Sequence, residues 1–169
     1  MKVFGVAGFK NAGKTTLVVE LVRECARRGL RVATVKHAHH AFDIDHPGKD
    51  SYQHRDAGAV QVIVSSSRRW AQIVELPQPG EPTLVELLAR IDGVDLVLVE
   101  GYKAERHPRL ELRRQGQQAP ELAGSDPGVL AIVADYPIHD APVPVIARDN
   151  LDAIADFVLE HAASREALS

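Results

Sequence analysis

The chain has a single cysteine, Cys25, a single methionine and a single tryptophan among its 169 residues. One cysteine excludes an internal disulfide and a zinc site built mainly of thiolates. Its helical spacing from Leu17, Leu21 and Val22 reads Cys25 as a core residue rather than a reactive thiol. A basic excess is missing too. The net charge of -3 removes any whole-molecule attraction to nucleic acid. No apolar run approaches the ~18 residues that span a bilayer. The first residues carry one lysine and a strand-like run rather than a cleavable signal, so a cytoplasmic protein with no membrane partner is expected. What is present is ordinary for a globular chain: 45% hydrophobic and 25% charged residues. Residues 1–169 are therefore expected to form one domain with a sizeable core.

Strand and helix patterns alternate along it. Residues 2–7, KVFGVA, read as a buried strand, and residues 15–28 as a helix with Leu17, Val18, Leu21, Val22 and Cys25 on one face. RVATVKH, 31–37, is a second strand, followed by a polar, histidine-rich loop and a short helix over 50–58. VQVIVSSS and WAQIVEL, separated by Arg68 and Arg69, predict a hairpin. Thr83 with Glu86 three residues on forms a capping box that opens another helix. DLVLVEG is a buried strand, RLELRR a short edge strand, and residues 115–128 a mobile loop. VLAIVAD and VPVIA are strands, and a last helix runs from about Asn150. The order predicts an α/β fold: a mostly parallel sheet with flanking helices and an antiparallel hairpin.

GFKNAGKTT, residues 8–16, fits the pattern G-x-x-x-x-G-K-[ST] and lies between a strand and an amphipathic helix. The glycines let successive backbone N–H groups converge on a phosphate. The helix beginning near Lys14 adds its free N–H groups and its positive dipole end. Lys14 reaches the β- and γ-phosphates, Thr15 supplies a hydroxyl for magnesium, and Thr16 contacts the α-phosphate side. Some dimeric ATPases place a lysine directly after the first glycine. Here that position is Phe9 and the lysine is Lys10, which reads first as solvated and second as a phosphate contact across a dimer.

Two acids bracket the strand DLVLVEG. Ligands gather outside the carboxyl ends of parallel strands. Asp95 opens the strand, about 16 Å from Glu100 by strand rise, and is expected to be a strand-edge or capping residue. Glu100 closes it and is expected to hold magnesium through water or to orient the attacking water, with a structural pairing to a lysine such as Lys103 as the alternative. Gly101 would let the backbone pass close to the phosphates.

KHAHHAFDIDHPGKDSYQHRDAGA holds five histidines and four aspartates and follows the second strand. His39, His46 and His54 read as solvated, while His37 and His40 are better placed. Lys49-Asp50-Ser51 resembles a helix start able to receive an anion or offer a magnesium ligand. His37, His39 and Asp45 are conceivable transition-metal ligands, though without tight spacing.

GFKNAGKTTL, the histidine and aspartate run, the tryptophan of SSSRRWAQIVEL and DLVLVEGYK, in this order, resemble the MobB family of molybdopterin-guanine dinucleotide biosynthesis adaptors over most of residues 1–103. The resemblance implies a P-loop fold that binds GTP with magnesium and hydrolyses it slowly. It also implies a homodimer with extended sheet contacts, and assistance to the molybdenum cofactor guanylyltransferase alongside other molybdopterin-handling proteins. Carried onto this sequence, the phosphate-loop role falls on Gly8, Phe9, Lys10, Asn11, Ala12, Gly13, Lys14, Thr15 and Thr16. Lys14 and Glu100 take the catalytic role, and Thr15 and Glu100 the metal. His37, His40, Asp45, Lys49 and Asp50 would lie near the nucleotide or molybdopterin. The guanine-reading motif Asn-Lys-x-Asp is absent, and Asp135 is the one comparable strand-end acid. The rival readings are a P-loop small-molecule kinase and a metallochaperone GTPase. The first is opposed by the lack of an arginine-rich lid, the second by the lack of a Cys-Pro-His metal motif.

Overall fold

The computed structural model describes residues 1–38, 42–76, 80–117 and 120–168. They fall into two compact units: Met1–His37 with Thr83–Ser169, and Ala38–Pro82.

The first unit is built on strands β1 (Lys2–Ala7), β2 (Val32–Lys36), β5 (Leu96–Glu100), β6 (Arg109–Arg113), β7 (Val129–Ala134) and β8 (Val145–Ala147). They lie side by side in the order β2-β5-β1-β6-β7-β8, every pair parallel. This is the α/β, P-loop-type architecture the sequence pattern predicts. Helices α1 (Lys14–Arg27), α3 (Leu84–Leu88) and α4 (Leu151–His161) flank the sheet. Residue alternation along β5 shows the layering. Leu96 and Leu98 pack with Leu17 and Leu21 of α1 and Ile154 and Val158 of α4, whereas Val97 and Val99 pack with Leu84 and Leu88 of α3. Covered on both faces, β5 is buried throughout, which explains its unbroken apolar run. Cys25 is fully buried in the α1 core, and burial raises its thiol pKa. The capping box of Thr83 and Glu86 is formed at the start of α3.

Three features depart from the sequence reading. RLELR is not an edge strand: β6 sits between β1 and β7 with Arg109 and Glu111 buried. These charges serve backbone. Arg109 donates to the carbonyls of Tyr102, Lys103 and Glu105, and Glu111 accepts from the N–H groups of Leu122 at 3.0 Å and Ala123 at 2.9 Å and from Arg113 at 2.8 Å. The stretch expected to be a mobile loop is therefore fastened where Glu111 reaches it, and Ala123 is buried. The third departure is a short strand β9 (Ala163–Ser164), antiparallel to β1, which fills the side of Lys2 and Val3 that β6 does not reach.

The second unit holds α2 (Asp50–Asp56) and the expected hairpin, β3 (Gln61–Ser65) against β4 (Trp70–Val74), a separate two-stranded sheet. Arg55 organises it, with guanidinium nitrogens 2.6 Å from Asp43 and 3.3 Å from Glu75. Phe42, Ile44, Val60, Ile63, Val64 and Trp70 of this unit are all exposed, Trp70 at 67%. No helix among the described residues is long and apolar enough to cross a membrane.

Candidate functional site

β1 runs out at Ala7 and the chain turns back over the sheet end before α1 begins at Lys14. Gly8 makes that turn possible: its φ is 143°, and a Cβ there would stand 2.6 Å from the Leu112 carbonyl oxygen. Asn11 also has positive φ, 65°. Gly13 is the N-cap of α1; no side chain caps the helix start and no acid occupies its first turn. The first intrahelical bond there runs from the Leu17 N–H to Gly13. The N–H groups of Lys14, Thr15 and Thr16 thus have no intrahelical partner and stand at the positive end of the helix.

Lys14 curls over the loop and donates to the Phe9 carbonyl at 2.8 Å. Burial lowers its pKa. Glu100 opposes that effect, and the charges of Lys103 and Lys36 add to it. The Lys103 ammonium also sits 4.5 Å from the centroid of the Phe9 ring. Ala12 is buried, while Lys10, Asn11, Thr15 and Thr16 are exposed. Lys10 keeps an exposed side chain, and its carbonyl accepts from the Gln117 amide.

At the end of β5, Glu100 meets the loop. Thr15 Oγ1 donates to its carboxylate, 3.0 Å from Oε1 and 3.2 Å from Oε2. The structural partner of Glu100 is Lys36, 3.5 Å away, rather than Lys103. One hydroxyl and one carboxylate converging at the phosphate loop are hard oxygen donors of the kind magnesium takes, with phosphate oxygens and water completing its shell. A cation already stands beside them, since the Lys36 ammonium donates to Thr15 Oγ1 at 3.4 Å. The donor set fits the ion.

Gly101 packs against His37. Its φ is 97°, and a Cβ would lie 2.7 Å from the His37 Cβ. The His37 N–H donates to the Glu100 carbonyl at 2.8 Å and its ring lies against Tyr102, so His37 supports the Glu100 turn. Asp95 is at the far end of β5, accepting from the Arg31 N–H at 2.8 Å and from the Arg31 guanidinium. That arginine holds its carboxyl below the usual range.

On the other side of the loop lies a cavity of about 920 Å³. Its walls run from Ala12, Gly13 and Thr16 to Arg113, Asp135 and Arg148 at the ends of the sheet. Arg148 is tied to Glu20 of α1 at 2.7 Å, and Asp135 accepts from the Gln115 N–H at 2.7 Å. Of these, only Asp135 was singled out by strand-end position. Arg113 closes β6 and Arg148 directly follows β8, the same strand-end signal.

Asp45, Lys49 and Asp50 belong to the second unit. There Asp45 accepts from Ser51 Oγ and the His46 N–H, both at 3.0 Å, Lys49 is the N-cap of α2 and Asp50 its first residue. His39 and His40 lie outside the described residues. Among the described residues no group of three His, Cys, Asp or Glu side chains is arranged to hold a metal.

The family model described as molybdopterin guanine dinucleotide synthesis protein B matches residues 3–135. The chain is 41% identical over 157 residues to the molybdopterin-guanine dinucleotide biosynthesis adapter protein of Escherichia coli (strain K12), covering 91% of this chain and 89% of that one. It is 38% identical over 158 residues to the Haemophilus influenzae protein of the same description, covering 92% and 86%. The crystal structure of a MobB protein homolog from Bacillus stearothermophilus superposes with a TM-score of 0.69 at 30% identity, over 95% of this chain and 97% of that one.

Proposed function

Because the chain belongs to the MobB family, we propose that it acts as an adapter in molybdopterin guanine dinucleotide biosynthesis, binding GTP with magnesium and assisting the guanylyltransferase that forms the dinucleotide. The observation that carries the nucleotide part is the uncapped start of α1 behind a loop whose lysine bends back onto the Phe9 carbonyl and whose threonine donates to Glu100. Thr15 and Glu100 would hold magnesium, which when bound neutralises phosphate charge. Lys14 would exchange the Phe9 carbonyl for phosphate oxygens. The arginines of the neighbouring cavity are already engaged, Arg113 with Glu111 and Glu121 and Arg148 with Glu20. Arginine supplied to the transition state is worth ~10³–10⁵ in rate elsewhere, so slow intrinsic hydrolysis is the expected behaviour. A slow hydrolase suits a carrier or timer that serves a partner enzyme.

The exposed apolar surface of the second unit supports a homodimer, since an uncovered hairpin of this kind invites pairing. Sedimentation of the wild type should give a dimer at micromolar concentration and Trp70→Glu should shift it towards monomer; a monomeric wild type would remove the dimer reading.

The functional test compares GTP turnover with and without the guanylyltransferase, and the yield of guanylylated cofactor with wild type and with Lys14→Ala. Lower yield with the variant supports the adapter. Fast phosphoryl transfer to a small acceptor, with cofactor yield unmoved, would replace it with a kinase.

A further inference from the structure

The last residue of β2 is a lysine, and the strand register sets it directly opposite Glu100 of β5. The pairing runs unbroken from Val32↔Leu96 to Lys36↔Glu100, so the two side chains are neighbours because the sheet makes them so. From there the Lys36 ammonium reaches both groups that the GTP reading assigns to magnesium. It lies 3.4 Å from Thr15 Oγ1 and 3.5 Å from Glu100 Oε1. The partners differ in freedom. Glu100's side chain is 11% exposed, and that of Lys36 is 59% exposed. The carboxylate is fixed in place, while the ammonium sits on a flexible four-carbon stem open to solvent.

We propose that Lys36 is the resident counter-ion of the magnesium site, holding the Thr15–Glu100 pair in its binding arrangement when no metal is present and giving up its place when the divalent ion arrives. The inference rests on the GTP and magnesium reading above and names a positioning residue within it. Two physical points carry it. A buried carboxylate beside a hydroxyl needs a positive partner in the empty state, and Lys36 is that partner. A divalent ion on the same oxygens repels an ammonium so close by, so the two occupy the site in turn. Released, the ammonium stays tethered at the end of β2, across the register from Glu100. Lys103 is the natural contrast, a lysine of the same neighbourhood whose ammonium rests on the Phe9 ring.

The test is binding of manganese(II), followed by its paramagnetic resonance signal, to the nucleotide-free full chain. Lys36→Met should bind the ion roughly tenfold more tightly than wild type, the effect of removing an opposite charge within about 4 Å of a carboxylate. Lys36→Arg should stay near wild type, and Lys103→Met should tighten binding far less than Lys36→Met. No tightening in Lys36→Met, or equal tightening in Lys103→Met, overturns the proposal. A second measurement needs no variant: amine acetylation of wild-type Lys36, read by mass spectrometry, should speed up on adding manganese alone. An unchanged rate at saturating metal overturns the proposal as well. The two levels of inference fail differently. If wild type takes no magnesium with GTP, the nucleotide reading falls and takes this one with it. If wild type does so and Lys36→Met binds metal identically, only this one falls.

Discussion

Strand β5 carries an acid at each end, and the two have opposite fates. Asp95 is bound by Arg31, through both backbone and guanidinium, at the end of the strand away from the phosphate loop. Glu100 is bound by a hydroxyl that belongs to the phosphate loop and by a lysine free to leave. The residue types are nearly equivalent; the position along a parallel strand is what differs. At the amino end an acid closes a structural contact, and at the carboxyl end it meets the phosphate loop where α1 begins. The contrast teaches that function at such a sheet is a property of the edge more than of the residue.

The largest blow to the functional edge should come from Lys14→Ala. Truncating a desolvated charge on a polyanion should weaken GTP–magnesium binding by more than roughly 100-fold, measured by isothermal titration, while the circular dichroism spectrum stays that of the wild type. Unchanged affinity would place the nucleotide elsewhere. Acid provides the next effect, and it reaches the buried middle of the sheet and the Asp95 contact in different windows. His107, packed against Gly5 of β1, has its pKa lowered from 6.5 to about 4 by burial and by the Arg109 charge. Between those values the unfolded chain binds the proton and the folded chain does not, so stability is full above about pH 6.5 and falls as pH drops towards 4. The loss should be about 2 kcal/mol at pH 5, read from urea midpoints, with His107→Gln flattening the slope. The Asp95 contact, its carboxyl held below the usual range, survives that window and titrates only below it. Glu100→Gln comes third: apparent magnesium affinity in the presence of GTP should fall about tenfold, with a smaller change in metal-free nucleotide binding. The smallest effect belongs to Asp95→Asn, which should leave magnesium and GTP titrations unchanged and lower the melting temperature slightly. If Asp95→Asn harmed metal binding more than Glu100→Gln, the comparison between the ends would be reversed.

Most of the frame was legible because its signals are local. The apolar run of β1, the G-x-x-x-x-G-K-T loop, the stripe of α1 and the Thr83 capping box each lie within one element. The end of β5 was assignable to Glu100 by direction alone. What escaped needed partners far apart in the chain. RLELR reads as an edge strand because alternating charges resemble a solvated face, yet Arg109 and Glu111 satisfy backbone of segments 102–105 and 122–123. Lys36 reads as an ordinary strand-end lysine until the register between β2 and β5 is known. Strand β9 is two residues long and borrows its ladder from β1, so its own sequence carries no pattern to find.

Glu111 also changes what kind of segment 122–123 is. Its carboxylate accepts from the amides of Leu122 and Ala123 while itself buried in a central strand. Those two amides cannot open without taking two hydrogen bonds from a buried carboxylate, so they should not exchange with solvent on the timescale of a surface loop. Deuterium uptake there should instead track the slow exchange of β6 and β7, with protection rising and falling with global stability as denaturant is added. A stretch whose composition reads as linker would then belong to the same cooperative unit as the sheet, and its amides would be among the last in the chain to be labelled.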